Sequence, residues 1–220
     1  MVERYYDKAY NRGNQNPFRC QGFMPDAFIR REGEADQPFQ TLPPFLRALL
    51  VTDGTVTKTL EAYFWEPVVV TTLQQELVRA ERPIEWIQVD TGERVLIRRV
   101  NLSGVTSAFV YATAFSVIRP QLIPETFRQR LIDREIGIGV LIRDSGLESY
   151  REVLEVGIEP ADPSSDATLP MQSDLVFRTY RIIIGGEPVI LITESFPLDL
   201  YEQNPVLPAS PSHRQRTAGF

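Results

Sequence analysis

The chain has 220 residues, of which 43% are apolar and 24% are charged, and its formal net charge is −6. This composition is typical of a globular protein, and the negative charge disfavours binding to nucleic acid or to an anionic membrane surface. The apolar runs are far shorter than the roughly 18 residues of a membrane helix, and the N-terminus lacks the apolar stretch of a secretory signal. We therefore predict a cytoplasmic protein with no membrane span and no nucleic-acid partner.

Histidine and cysteine each occur once, as His213 and Cys20. His213 lies in a Pro/Ser-rich stretch near the C-terminus that predicts no fixed structure. A Ser-His-Asp or Cys-His triad needs an imidazole that the fold holds in place, and zinc catalysis usually needs two or three His or Cys ligands. The composition therefore excludes both kinds of site, as well as an intramolecular disulfide.

The first predicted elements are helical. Residues 1–40 show no periodicity and predict an extended lead-in to a domain of residues 41–204, which a flexible tail follows at 205–220. Pro43-Pro44 opens a short helix, which Asp53-Gly54 ends. A second helix follows the N-cap residue Thr55, because apolar residues then recur at positions 56, 60, 63 and 64.

From residue 68 onwards the pattern is typical of strands, which are rich in branched and aromatic residues. We predict six strands: 68–78, 94–102, 108–118, 150–158, 175–184 and 189–196. Gly185-Gly186 predicts a tight hairpin, since glycine allows a positive φ. A helix at 124–132 precedes Gly137-x-Gly139, which we interpret as the hinge of a lid. The predicted fold class is α+β, a six-stranded antiparallel sheet with a few helices covering one face.

Two charged residues fall on apolar faces of the predicted strands. Side chains alternate between the two faces of a strand, so Arg98 shares a face with Leu96 and Val100, and Glu194 shares one with Ile192 and Phe196. Burying such charges costs several kcal/mol unless they are paired. They therefore indicate either an ion pair between Arg98 and Glu194, or a site for an anionic ligand, unless solvent covers one of the faces. Arg178 and Arg181 are predicted to lie at the surface or rim.

Four segments together resemble the chorismate pyruvate-lyase (4-hydroxybenzoate synthase) family, and within it the branch of cyanobacteria and algal plastids. Their order and approximate spacing match over residues 45–200, and the set is more specific than any one segment. The segments are Asp53-Gly54-Thr55-Val56-Thr57-Lys58, Leu96-Ile97-Arg98-Arg99-Val100, Glu135 to Gly139 with Ser149 to Val153, and Gly186-Glu187-Pro188 with Thr193 to Pro197.

The resemblance implies a chorismate lyase-like fold and a lyase that needs no cofactor or metal. The enzyme would release pyruvate from chorismate and leave 4-hydroxybenzoate for the synthesis of quinones such as plastoquinone. Arg98 would hold a substrate carboxylate and Glu194 would lie beside the ring hydroxyl, both as catalytic residues. Backbone groups at Val56 and Ile136 would grip a carboxylate. The segment 177–181 departs from the family's usual Trp-Arg-Arg-Ser type, which bears on the identity of the substrate.

Two alternatives stay open at the level of sequence. One alternative is a non-catalytic module that binds a small aromatic acid, because the same kind of fold serves as the effector domain of some bacterial transcription regulators. Residues 1–40 contain no helix-turn-helix pattern to support it. The other is an enzyme that converts chorismate to a different product, or a binding protein that has lost turnover.

Overall fold

The computed structural model describes residues 2–6, 28–31, 35–132, 137–160 and 174–202. The strands are β1 (Phe28–Arg31), β2 (Gln37–Pro38), β3 (Val68–Arg79), β4 (Arg94–Gly104), β5 (Val110–Ile118), β6 (Ser149–Glu159), β7 (Leu175–Ile184) and β8 (Glu187–Pro197). The helices are α1 (Pro44–Val51), α2 (Val56–Phe64), α3 (Glu125–Ile132), α4 (Ile138–Ser145) and α5 (Leu198–Glu202). Short 3₁₀ helices include Val2–Tyr5 and Glu85–Ile87. No helix of these ranges is long and apolar enough to cross a membrane.

The eight strands form one sheet in the order β2-β1-β6-β7-β8-β5-β4-β3. All neighbours are antiparallel except β1 and β6, which run parallel. The α+β class is thus confirmed, but the predicted count of six strands was wrong. The two additional strands, β1 and β2, are very short and lie within residues 1–40, where too few residues alternate to give a pattern. The last strand, β8, lies between β5 and β7 in the middle of the sheet.

The turn between β7 and β8 is the predicted two-residue hairpin. Gly185 has φ = 60° and Gly186 has φ = 86°. Two successive residues with positive φ are typical of a type I′ turn, whose twist matches that of the flanking strands. The register shifts once, between Ile183 and Ile182, and beyond that shift Arg178 lies opposite Glu194.

Helices α1 to α4 pack on one face of the sheet and divide its core in two. Apolar residues of α1 and α2, such as Leu46, Leu50 and Leu60, pack with Val100 and Leu102 of β4. Residues of α3 and α4 pack with β7 and the β5–β8 part of the sheet, forming a second cluster. The prediction that the helices cover one face is therefore confirmed, and the two clusters leave a gap between them.

The opposite face of the sheet, which we call the back face, is covered by short 3₁₀ segments. Trp86 and Ile87 pack there with Tyr5 and Leu191. The OH of Tyr5 lies 2.7 Å from Oγ1 of Thr193 on β8. Burial raises the pKa of Tyr5 well above its usual range. The N-terminal residues are thus attached to the strand that carries Glu194, on the side away from the helices.

A group of polar side chains closes the turn between β4 and β5. The Tyr111 hydroxyl donates to Oε1 of Glu66, and Oε2 of Glu66 accepts the backbone N–H groups of Thr106 (2.7 Å) and Ser107 (3.0 Å). We call Glu66, Ser107 and Tyr111 the Glu66 cluster. Gly104 lies beneath it, and a Cβ there would stand 2.4–2.5 Å from one oxygen of each of the three. A side chain at position 104 would therefore have to displace these groups.

Candidate active site

A cavity of about 430 Å³ lies between the two helix pairs and the sheet. This volume falls in the range of about 300–1,000 Å³ that is usual for small-molecule sites. The sheet residues that line it are mostly apolar, with Glu194, Tyr180 and Ser116 among them. Residues 54–58 at the start of α2 and residues 137–140 at the start of α4 form the walls, together with Arg151 on β6.

Two adjacent rows of residues that run across the strands supply six residues of the cavity floor: Ser116, Ile192 and Tyr180 from one row, and Val100, Ala114 and Glu194 from the other. The pairing of β4, β5, β8 and β7 places Arg98, Ser116, Ile192 and Tyr180 in one row, and Val100, Ala114, Glu194 and Arg178 in the next. Directly paired residues point to the same face of a sheet. Both rows therefore face the helices, and the two arginines lie at opposite ends of them.

Glu194 is held by two partners on the neighbouring strand. Its side chain is 9% exposed, and its Oε2 accepts a hydrogen bond of 2.8 Å from Nε of Arg178. Its Oε1 accepts a hydrogen bond of 3.1 Å from the Tyr180 hydroxyl. Burial, followed by the charge of Glu194, raises the pKa of Tyr180 above its usual range, so this hydroxyl stays protonated. Each oxygen of Glu194 thus has a fixed donor, and the carboxylate lines the cavity in one orientation.

Arg178 connects this acid to the loop between α1 and α2. The arginine is 1% exposed, its Nη1 donates to the Thr52 carbonyl at 2.9 Å, and its guanidinium lies 4.8 Å from the centre of the Tyr180 ring. Burial disfavours the charged form of Arg178. Its interactions with Glu194 and Tyr180 outweigh this effect, so the pKa of Arg178 is raised. The prediction that Arg178 lies at the surface or rim was therefore wrong. It shares a face with Val176, Tyr180 and Ile182, the same signal that identified Arg98 and Glu194.

Arg98 is buried, with 2% of its surface exposed, and lies on the face of the sheet that carries the cavity. Its Nη2 donates to Oγ1 of Thr72 on β3 at 3.1 Å. Burial lowers the pKa of Arg98 from its ordinary value. Arg98 is not among the residues that line the cavity, although its row partner Ser116 is. Its predicted contact with a substrate carboxylate stays a prediction.

The structure does not pair Arg98 with Glu194. The β5 strand separates β4 from β8, so two strand spacings of about 4.8 Å each, or roughly 10 Å, lie between the two backbones. Both oxygens of Glu194 accept hydrogen bonds from β7 instead. The ion pair that the sequence left open is therefore formed by a different arginine, Arg178.

The N-termini of α2 and α4 both open into the cavity. Val56, the first residue of α2, is 4% exposed and lines it, and the N-cap Thr55 makes no side-chain capping hydrogen bond. The N-cap of α4 is Gly137, which has no side chain that could cap. The first N–H groups of a helix lack partners within it and carry partial positive charge. The cavity wall thus presents two sets of backbone donors suited to an anion.

The segment predicted as a glycine hinge has a different role. Ile138–Ser145 forms α4, so Gly137 is its N-cap residue and Gly139 lies inside the helix rather than in the predicted hinge. A Cβ on Gly139 would stand 3.2 Å from Cγ2 and Oγ1 of Thr55. The glycine therefore allows the starts of α2 and α4 to approach each other closely. Ile136, the other predicted backbone contact, lies outside the described residues.

Metal ligands are scarce in the described parts of the chain. No group of three or more His, Cys, Asp or Glu side chains there could hold a metal ion. Cys20 and His213 lie outside the described residues. The groups that line the cavity and could act on a ligand include a carboxylate with fixed donors, an arginine and helix N-termini, which together suit an organic anion.

Comparison with solved structures defines the fold. The crystal structure of PhnF from Mycobacterium smegmatis superposes with a TM-score of 0.55 at 13% identity, over 68% of this chain and 66% of that one, slightly less than two thirds of its length. The crystal structure of its separate effector domain superposes with a TM-score of 0.53 at 13% identity, over 66% of this chain and 90% of the domain. At this identity the likeness concerns the fold alone, which is the chorismate lyase-like fold predicted from sequence.

Sequence comparison defines the family. The family model described as chorismate pyruvate-lyase Rv2949c-like matches residues 50–204. A chorismate pyruvate-lyase of Mycobacterium leprae is 31% identical over 162 residues, which are 73% of this chain and 77% of the relative. One of Mycobacterium tuberculosis is 27% identical over 177 residues, 78% of this chain and 88% of the relative. The chain therefore belongs to the Rv2949c-like chorismate pyruvate-lyase family. The predicted likeness to the cyanobacterial and plastid branch stays a prediction.

Proposed function

We propose that this protein is a chorismate pyruvate-lyase, which eliminates pyruvate from chorismate and leaves 4-hydroxybenzoate. The observation that carries the proposal is the cavity itself. It combines a buried carboxylate, Glu194, with two helix N-termini, in a chain that belongs to this family. A small ring that carries carboxylates and a hydroxyl suits a site whose floor is mostly apolar and whose polar groups stand at defined points.

The chemistry needs little beyond these groups. The bond between the ring and the enolpyruvyl oxygen breaks with its electron pair remaining on oxygen, and the ring loses a proton from the carbon that bears the hydroxyl. Enolpyruvate takes up a proton to become pyruvate, so neither an oxidant nor a reductant is involved. Because the ring becomes aromatic, the protein has mainly to position the substrate and to stabilise developing charge.

Glu194 is the residue proposed to act at the hydroxyl-bearing carbon. Arg178 and Tyr180 fix its two oxygens, so the carboxylate is oriented before a ligand enters. In this position it accepts a hydrogen bond from the ring hydroxyl or assists removal of the ring proton. Arg98 is proposed to hold the ring carboxylate, and backbone groups at Val56 and Ile136 are proposed to complete the binding of that carboxylate.

Turnover by the purified protein tests the proposal. Pyruvate is measured by reduction with a coupled lactate dehydrogenase, and 4-hydroxybenzoate by chromatography. We expect both products in equal amounts. Arg98→Ala should lower kcat/KM by about 10²-fold or more. The matched control is Arg99→Ala, on the next position and the opposite face of β4, which should retain turnover. Undiminished turnover by Arg98→Ala would remove that residue from the mechanism.

Binding without turnover would contradict the proposed function in favour of the non-catalytic alternative. In that case 4-hydroxybenzoate or chorismate binds, as calorimetry would record, but no pyruvate is released. Release of pyruvate with another aromatic product would instead indicate a related enzyme. Consumption of 4-hydroxybenzoate in quinone synthesis, which the family resemblance implied, is part of the proposal and needs a separate test in the producing cell.

A further inference from the structure

Arg151 stands on the side of the cavity away from Arg98. It lies on β6 and is paired with Ile182 of β7, and both residues line the cavity. Four strand spacings of about 4.8 Å, or roughly 19 Å along the sheet, separate β6 from β4. The side chains of Arg98 and Arg151 therefore begin on opposite sides of the cavity floor. The proposed function so far assigns nothing to Arg151.

The hydrogen bonding of Arg151 is incomplete. Its Nη1 donates to the carbonyl oxygen of Asp53, in the loop before α2. Its Nε is buried and has no hydrogen-bond partner among the described residues. No carboxylate of the described chain forms an ion pair with it. Buried donors nearly always have an acceptor, so an unsatisfied guanidinium donor on the wall of a cavity points to an acceptor on a ligand.

The other charged residues at the cavity fit this role less well. Lys58 also lines it but is exposed, so water weakens its attraction for an anion. Glu61 lines it too, and its Oε1 accepts a hydrogen bond of 3.2 Å from the backbone N–H of Val68. Arg151 is only partly exposed and presents a planar set of donors, which matches a carboxylate better than an ammonium does.

We propose that Arg151 binds the carboxylate of the enolpyruvyl group, the one that leaves with pyruvate, while Arg98 binds the ring carboxylate. This assignment rests on the proposed function. Chorismate carries two carboxylates on different parts of the molecule. Arg151 on the cavity wall and Arg98, whose row partner Ser116 lines the cavity, can bind one each without bringing the negative charges together. A guanidinium beside the leaving group also stabilises the negative charge that forms on the enolpyruvyl oxygen as the bond to the ring breaks.

The product separates this role from a structural one, because 4-hydroxybenzoate lacks the enolpyruvyl carboxylate. Arg151→Gln should lower kcat/KM for chorismate by roughly 10- to 100-fold. The Kd for 4-hydroxybenzoate, measured by calorimetry, should stay within about twofold of the wild-type value. Arg98→Ala should lower kcat/KM for chorismate and also weaken the binding of 4-hydroxybenzoate. Arg151→Lys keeps the charge and should lose less than Arg151→Gln. The control is Arg143→Gln, an exposed arginine on α4 away from the cavity, which should change neither quantity.

Three results would overturn the assignment while leaving the proposed function intact. An equal loss for chorismate and 4-hydroxybenzoate in Arg151→Gln would mean that Arg151 acts only by holding the Asp53 carbonyl. A loss selective for chorismate in Lys58→Gln, with Arg151→Gln unaffected, would assign the carboxylate to Lys58. Normal turnover by Arg151→Gln and Arg151→Lys would refute the inference and leave the proposed function intact. Absence of pyruvate release by the wild-type protein would refute the proposed function, and the assignment with it.

Discussion

Removal of Arg178 should destabilise the protein strongly, because it leaves a buried carboxylate without its cation. In Arg178→Met the methionine fills much of the space but cannot replace the hydrogen bonds to Glu194 (2.8 Å) and to the Thr52 carbonyl (2.9 Å). Glu194 would keep only its bond from Tyr180. Breaking a buried ion pair from one side costs about 3–5 kcal/mol of unfolding free energy. Arg178→Lys, which keeps the charge, should cost less.

The measurement is urea unfolding at pH 7, followed by the fluorescence of the buried Trp86. Glu194→Gln removes the other charge, so the double variant Arg178→Met/Glu194→Gln should lose less than the sum of the two single losses. We expect a coupling energy of about 2 kcal/mol or more for residues in direct contact. Arg143→Met is the control, since its ion pair with Asp144 is exposed and should be worth less than about 1 kcal/mol. A coupling energy below about 0.5 kcal/mol would refute the ion pair as the reason for the burial of Arg178.

Three further predictions concern stability. Gly104→Ala should lower the unfolding free energy by about 1–3 kcal/mol, because the added Cβ overpacks against the Glu66 cluster. The control Gly54→Ala, whose Cβ has room, should cost less, and equal losses in the two variants would contradict the clash. Hydrogen bonds within the cluster outweigh the effect of burial and lower the pKa of Glu66 to about 2, so its contribution to stability is complete above the ordinary pKa of about 4.5 and disappears as the pH falls towards 2. Unfolding between pH 5 and 2 should therefore depend less on pH in Glu66→Gln, and an unchanged slope would contradict this. Tyr5→Phe, which removes the 2.7 Å bond to Thr193, should lower the unfolding free energy by about 1 kcal/mol in urea, and no change would show that the N-terminal residues do not stabilise the sheet.

Much of the secondary structure was predictable because its causes are local. The six strands found by pattern are present with ends that differ by at most two residues, and Gly185-Gly186 forms the expected turn. Alternation along a strand also predicted that Arg98 and Glu194 point towards apolar neighbours, and both are buried. The same alternation applied to β7 would have found Arg178. The error lay in treating Arg178 and Arg181 alike as surface or rim charges, although they lie on opposite faces of the strand.

Some features had no usable local signal. The strands β1 and β2 have four and two residues, too few for a period of two to be recognised. The interpretation of Gly137 and Gly139 as a hinge missed the start of α4, because glycine is unfavourable in helices. In the structure the close approach of Thr55 explains Gly139, and that contact joins residues more than eighty positions apart.

The sequence by itself determined which side chains face the interior, because the direction of a side chain follows from its position along its own strand. Only the tertiary structure decided which of them meet. The placement of β8 between β5 and β7 puts Glu194 beside Arg178 and two strands away from Arg98. That order depends on how segments distant in the chain pair with each other. The spacing of residues within each segment has no influence on this pairing.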